Sequence, residues 1–113
     1  MNKEKILQKS DDFSIIISSG QKQKNKYFSL YYKKSDKVHY GITVPKKIGH
    51  AVIRNKLKRQ LKNIIIQNEN TIQQNNNYVI IVKEPSLKLD YEGLTKNLLE
   101  LIKKAGTKWK KIN

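Results

Sequence analysis

One stretch decides the fold, and it reads Pro45-Lys46-Lys47-Ile48-Gly49-His50-Ala51-Val52-Ile53-Arg54-Asn55-Lys56-Leu57-Lys58-Arg59-Gln60-Leu61-Lys62. From residue 51 to about residue 68, apolar side chains recur every three or four positions, at Ile53, Leu57, Leu61, Ile64 and Ile65. This spacing predicts an amphipathic helix whose apolar stripe faces a core. Proline cannot donate a hydrogen bond to a sheet, so Pro45 marks the end of a preceding strand.

Three segments around this helix have the composition of strands, and they are Tyr27–Lys34, Val38–Val44 and Tyr78–Val82. The first two flank a short turn at residues 35–37, so we expect them to pair as an antiparallel hairpin. The third is continuously apolar, which is typical of a buried strand. It could lie parallel to an earlier strand, with the helix as the crossover. Residues 21–26 have no clear periodicity, which leaves open whether two or three strands precede the helix.

Two further helices are predicted towards the ends of the chain. Ser10 is a suitable N-cap for the first and Gly20 a suitable stop, and its apolar face would carry Phe13, Ile16 and Ile17. Three successive isoleucines would also fit a strand. Asp90 would cap the last helix and Gly106 would end it, with an apolar face formed by Leu94, Leu98, Leu99 and Ile102. The order of elements predicts a single α+β two-layer domain over residues 1–113, with one sheet face covered and a basic tail at residues 103–113.

The charge of the chain predicts a polyanionic partner. Its 113 residues carry 24 Lys and Arg against 9 Asp and Glu, a formal net charge of +15. Nucleic acid is the usual partner of such a domain. An anionic membrane is the alternative, but it requires an amphipathic helix with an exposed apolar face, and the chain has no apolar run near the roughly 20 residues of a membrane span. The absence of cysteine and of a secretion signal fits the cytoplasm.

The predicted central helix carries a row of cations. If its apolar stripe is buried, the polar residues on the other side are directed outwards together, and these are Arg54, Asn55, Lys58, Arg59 and Lys62. Arg54 and Arg59 are the only arginines among the 24 basic residues. A guanidinium can hold a phosphate with two parallel hydrogen bonds, whereas lysine acts as a point charge. We therefore expect this side of the helix to contact RNA.

No arrangement of residues suggests a protein active site. The chain has two histidines, His39 and His50, no cysteine, and scattered acids. No metal-binding, paired-carboxylate or Ser-His-Asp pattern is evident, so we predict no catalytic residue in the protein.

The opening stretch resembles the signature of the bacterial ribonuclease P protein family. The family pattern Lys-Lys-x-Gly-x-Ala-Val-x-Arg-Asn-x-x-Lys-Arg corresponds here to residues 46–59, and every defining position matches. The family's arginine-asparagine-arginine residues fall on Arg54, Asn55 and Arg59. Weaker similarity covers most of the chain, including Asp12-Phe13, Phe28 to Tyr31 and Val79 to Pro85.

The resemblance implies a fold and a set of partners. The fold would be similar to domain 2 of ribosomal protein S5, in the order α-β-β-β-α-β-α with a left-handed βαβ crossover. The central helix would lie against the catalytic RNA of ribonuclease P, which would hold Mg²⁺ and cleave precursor tRNA. The protein would act as a monomer in a one-to-one ribonucleoprotein. A cleft between the first helix and the sheet would hold the single-stranded 5′ leader, lined by Phe13, Ile17, Phe28, Leu30 and Tyr31, with Lys46 and Lys47 nearby.

Two departures from the family pattern bear on the leader cleft. Ile17 stands where many relatives have a second phenylalanine, so one stacking surface is missing. Glu84 stands where relatives often have a basic residue. A structural RNA-binding protein of ribosomal type is the alternative function, because net charge alone does not separate the two.

Overall fold

The structure is a computed structural model, and it describes the backbone of residues 10–36, 38–72 and 75–112 and the side chains of residues 13–36, 38–72 and 75–105. Within these residues, three helices and four strands follow one another as α1 (Ser10–Ser19), β1 (Gln21–Lys24), β2 (Phe28–Lys34), β3 (His39–Thr43), α2 (Ala51–Gln67), β4 (Asn76–Val82) and α3 (Tyr91–Ile112). Short 3₁₀ turns occupy Lys46–Ile48, Glu69–Thr71 and Glu84–Lys88. The predicted α-β-β-β-α-β-α order is confirmed. No helix in the described part of the chain is long and apolar enough to cross a membrane.

The four strands form one sheet in the order β1-β2-β4-β3. β4 pairs antiparallel with β2, with Tyr31 opposite Val79, and parallel with β3, with Gly41 opposite Val79. The predicted β2–β3 hairpin is therefore wrong, although the two strands do run in opposite directions. β4 is apolar on both faces and takes an interior place between them, and α2 supplies the crossover that a parallel pair requires.

β1 is the fourth strand that the sequence left open. It pairs antiparallel with β2, with Gln21 opposite Tyr32 and Lys24 opposite Ser29. The strand is short, polar and rich in lysine, which is how proteins commonly protect a sheet edge from pairing with another chain. Such a strand carries almost no hydrophobic signal, so its periodicity could not be recognised in the sequence.

Helices α2 and α3 pack on one face of the sheet and close the main core. In α2, Leu57, Leu61, Ile64 and Ile65 are buried as predicted. They meet the inward face of the strands, where the rings of Tyr40 and Tyr78 stack with centroids 5.8 Å apart. Ile53 departs from the prediction because 40% of its surface is exposed. The first turn of α2 thus extends beyond the core.

Helix α1 lies over part of the opposite face of the sheet. Gly41 makes room for it, since a Cβ atom there would lie 2.6 Å from Cζ of Phe13. Ile16 is buried beneath the helix but lies outside the main core cluster. The second sheet face is therefore partly covered, which the two-layer prediction did not include.

The last helix starts where predicted but continues further. The Asp90 carboxylate caps it, because its Oδ1 accepts a hydrogen bond from the backbone N–H of Gly93 at 2.8 Å. The predicted stop at Gly106 is wrong, since α3 runs to Ile112. A single glycine costs a helix about 1 kcal/mol relative to alanine, and good helix formers on both sides offset this. The predicted basic tail therefore begins inside a helix. The predicted Ser10 cap lies outside the described side chains.

Candidate nucleic-acid interface

The five polar residues predicted on α2 lie along one side of the helix, and we call Arg54, Asn55, Lys58, Arg59 and Lys62 the basic flank. Asn55 and Arg59 are exposed, whereas Arg54, Lys58 and Lys62 are half-buried. At about 100° per residue, the half-buried three follow one line at the border of the apolar stripe. The flank is thus a border between core and solvent, which corrects the predicted position opposite the stripe.

Arg54 is held in place by the loop that precedes α2. Its Nε donates a hydrogen bond to the carbonyl oxygen of Gly49 at 3.1 Å. Arginine has further N–H donors on the guanidinium, and these stay available for a ligand. The basic flank makes no ion pair with any carboxylate that the structure describes. Its charge is therefore not neutralised by those acids.

The part of the sheet beside α1 forms a second surface, which we call the sheet cleft. Its floor is a cross-strand row in which Lys22, Tyr31, Val79 and Gly41 are successive partners. The Nζ atom of Lys22 lies 5.1 Å from the centroid of the Tyr31 ring. From α1, the half-buried ring of Phe13 reaches Gly41, and Ile17 is 38% exposed. The sheet cleft thus combines an aromatic ring, apolar side chains and a cation.

Two residues predicted to line the cleft belong to the core instead. Phe28 and Leu30 have 0% exposure and lie in the main core cluster under α2 and α3. Successive strand residues point to opposite faces, so Phe28 and Leu30 lie on the face away from Tyr31. Their assignment to the cleft is therefore wrong, and simple alternation along β2 would have separated them from Tyr31.

Lys46 and Lys47 lie in the 3₁₀ turn between β3 and α2, and both are exposed. This turn follows the strand that carries Gly41 and precedes the helix that carries Arg54. The two lysines therefore lie along the chain between the sheet cleft and the basic flank.

Sequence reasoning missed a polar row at one end of the cleft face. Lys33, Asn77 and His39 are cross-strand partners on β2, β4 and β3. His39 Nδ1 lies 2.9 Å from Asn77 Oδ1, and Lys33 Nζ donates to Ser19 Oγ at 3.1 Å. These residues are far apart in the sequence, and only the strand register brings them together.

The described residues offer no evident protein metal site. Within them, no three His, Cys, Asp or Glu side chains come together as ligands. The arrangement suits binding of a polyanion: a basic helix flank, a cleft with stacking surfaces, and lysines between them.

Comparisons with known proteins agree with this arrangement. A sequence model of the family described as Ribonuclease P matches residues 1–106. The ribonuclease P protein component of Mycoplasma mycoides is 42% identical over 106 residues, which cover 91% of this chain and 97% of that protein. The corresponding protein of Bacillus mycoides is 35% identical over 111 residues, or 96% of each chain.

Solved structures show the same fold. The ribonuclease P protein of Thermotoga maritima superposes with a TM-score of 0.82 at 31% identity, covering 87% of this chain and 94% of that one. The ribonuclease P protein of Staphylococcus aureus gives 0.83 at 27% identity, covering 89% and 94%.

Proposed function

Because the chain belongs to the ribonuclease P protein family and is a protein component of that tRNA-processing endoribonuclease, we propose that two of its surfaces bind different RNAs. The basic flank of α2 binds the catalytic RNA. The sheet cleft binds the single-stranded 5′ leader of precursor tRNA. The protein positions both RNAs and supplies no reacting group.

The unneutralised charge of the basic flank is the observation that carries the proposal. Lysine and arginine side chains that approach phosphates release counterions, which gives affinity without sequence preference. The hydrogen bond from Arg54 to Gly49 fixes one guanidinium before binding, so less side-chain freedom is lost in the complex. Asn55 can donate and accept, so it suits a 2′-hydroxyl or a base edge.

The sheet cleft suits a single strand better than a duplex. Exposed bases stack on aromatic rings, at roughly 1–3 kcal/mol each, largely without regard to sequence. Tyr31 provides such a ring, the half-buried Phe13 packs over Gly41, and Lys22 lies beside Tyr31 for a phosphate. Ile17 replaces an aromatic residue of many relatives and contributes apolar contact without stacking.

Mg²⁺ belongs, in this proposal, to the RNA of the holoenzyme, where it supplies the charge needed for phosphodiester cleavage. The contribution of this chain is to bring cations to the phosphates, so that less Mg²⁺ is needed to hold the two RNAs together. We propose that the protein acts as a monomer in a one-to-one complex in the cytoplasm. Native mass spectrometry of the assembled complex measures that stoichiometry directly.

Reconstitution tests the proposed function. The protein is mixed with ribonuclease P RNA at low Mg²⁺, and cleavage of precursor tRNA is compared with that of a substrate whose leader is reduced to one nucleotide. We expect the protein to accelerate cleavage and to favour the long leader. Acceleration without any leader preference would remove the role of the sheet cleft, and RNA binding without acceleration would remove the proposal as a whole.

A further inference from the structure

A pocket lies at the end of the sheet where β2 begins and β4 ends. It has a volume of about 280 Å³ and is lined by Lys26, Tyr27, Glu84, Pro85, Lys88 and Leu89. The backbone N–H of Lys83 donates to the carbonyl oxygen of Tyr27 at 2.9 Å, which ties its two walls together. Pockets for drug-sized molecules start at roughly 300 Å³, so this one suits a single nucleoside.

The walls of the pocket are held by a hydrogen-bonded turn. Asn25 Oδ1 accepts from the backbone N–H groups of Tyr27 and Phe28, each at 2.8 Å. Lys83 Nζ donates to the carbonyl oxygen of Asn25 at 2.7 Å, and Asn25 Nδ2 donates to the carbonyl oxygen of Asn97 on α3 at 3.2 Å. The pocket is therefore formed before any ligand arrives.

The pocket is lined by an aromatic ring and by side chains of both charges. Lys26 Nζ lies 5.9 Å from the centroid of the Tyr27 ring, which is half-buried. Glu84 and Lys88 are exposed, and within the described residues Glu84 forms no ion pair with either lysine. A carboxylate repels phosphate, so a pocket for phosphate alone would not have Glu84 among its lining residues. A carboxylate does accept hydrogen bonds from the exocyclic amine of a base.

We propose that this pocket binds one nucleotide of single-stranded RNA and that Glu84 makes it selective. The base stacks against Tyr27, and Lys26 and Lys88 meet the flanking phosphates. The Glu84 carboxylate accepts a hydrogen bond from the amine of cytosine, whereas uracil presents a carbonyl at the same position. The inference rests on the proposed function, because its ligand is the single-stranded RNA that the proposed function brings to this protein.

Binding of short oligonucleotides tests the selectivity. Labelled oligocytidylate and oligouridylate of equal length are titrated with the full chain, and affinity is read from fluorescence anisotropy. We expect the wild type to prefer oligocytidylate by roughly three- to tenfold, the scale of the net contribution of one hydrogen bond. In Glu84→Gln the preference should fall to about one, because an amide both accepts and donates.

Variants of Tyr27 separate stacking from packing. Tyr27→Leu keeps apolar volume and removes the ring, and we expect the affinity for both oligonucleotides to fall roughly fivefold or more. Tyr27→Phe, which keeps the ring, should retain the affinity of the wild type. Glu100→Gln, which removes one exposed carboxylate from α3 outside the pocket, is the control for the change of net charge in Glu84→Gln, and thermal melting checks that each variant folds.

The outcomes distinguish the pocket from the proposed function. The proposal for the pocket is overturned if the wild type binds the two oligonucleotides with equal affinity. It is also overturned if Glu84→Gln leaves the preference unchanged. If Tyr27→Leu does not fold, the comparison of wild type with Glu84→Gln decides alone. Phe13→Ala, in the sheet cleft, should lower the affinity for both oligonucleotides without changing the ratio of the two affinities. If it changes neither affinity, the assignment of the cleft fails while the pocket can still stand.

Discussion

Arg54 and Arg59 belong to one sequence motif, yet the fold holds them differently. Arg54 is half-buried and donates to the Gly49 carbonyl oxygen at 3.1 Å, whereas Arg59 is exposed. The motif thus combines a preorganised guanidinium with one that no hydrogen bond to a described residue holds in place. Lysine could keep either charge but not the planar, forked donor set.

Replacing these arginines by lysine tests the difference. We expect Arg54→Lys and Arg59→Lys each to weaken binding to ribonuclease P RNA by roughly five- to thirtyfold, because charge-assisted paired hydrogen bonds are lost while charge is kept. Filter binding at fixed salt measures the affinity. Lys104→Arg, the reverse exchange at an exposed position of α3 outside the basic flank, is the control and should leave the affinity unchanged. Unchanged affinity in both arginine variants would mean that charge alone matters.

Tyr78 gives a pH-dependent test of the core. Burial raises the pKa of its hydroxyl to about 12 from an ordinary 10.0; the hydrogen bond from Asn76 opposes this rise and the nearby Tyr32 adds to it. The folded-state pKa exceeds the unfolded one, so the contribution of this group to stability is complete below pH 10 and is lost as the pH rises towards about 12. Ultraviolet titration should show a tyrosine step near pH 12, and Tyr78→Phe should remove that step. A step near pH 12 that persists in the variant would belong to another tyrosine.

At the scale of elements, the position of α1 depends on one missing side chain. A Cβ atom on Gly41 would lie 2.6 Å from Cζ of Phe13. Gly41→Ala therefore has to displace the Phe13 ring and, with it, the wall of the sheet cleft.

We expect Gly41→Ala to lower stability by about 1–3 kcal/mol, the usual cost of overpacking, and to reduce the preference for leader-bearing substrate. Chemical denaturation and cleavage assays measure the two effects. Gly93→Ala, at the start of α3, is the matched control and should leave the leader preference intact. A Gly41→Ala protein with wild-type stability and wild-type preference for leader-bearing substrate would contradict the placement of Phe13.

The attachment of α2 gives a second test. Leu61 has 0% exposure and Ile53 has 40%. We expect Leu61→Ala to cost about 2–5 kcal/mol of stability because it leaves a cavity, whereas Ile53→Ala should cost well below 2 kcal/mol. Urea denaturation of the two variants measures the difference. Similar losses would mean that the first turn of α2 is as well packed as its middle.

Much of this element structure could be predicted from the sequence, and the failures share a cause. The stripe Leu57-Leu61-Ile64-Ile65 repeats within one helix, so local spacing is sufficient to find it. β2 pairs with β4 and not with β3, and this pairing joins segments that are far apart in the chain. The same is true of the polar row from Lys33 to His39. Phe28 was misplaced for a different reason: the resemblance assigned its position to a cleft, against the alternation of its own strand.

At the scale of the whole molecule, the charge of +15 governs the response to salt. Binding to RNA should weaken linearly on a log–log plot, with a slope of roughly 0.7–0.9 for each phosphate neutralised. In the double variant Arg54→Ala/Arg59→Ala the slope should become shallower by up to about twice this contribution, because up to two phosphate contacts are lost. Titrations at several salt concentrations measure it. An unchanged slope would show that the two guanidiniums do not meet phosphates.

The interior place of β4 also sets an order of events during synthesis. β2 and β3 share no hydrogen bonds with each other, and each pairs with β4. A nascent chain that stops before residue 76 can form only the β1–β2 ribbon and α2, with β3 left without a neighbour. The ribosome must therefore deliver residues 76–82 before β3 can pair and before the basic flank and the sheet cleft can take their final positions.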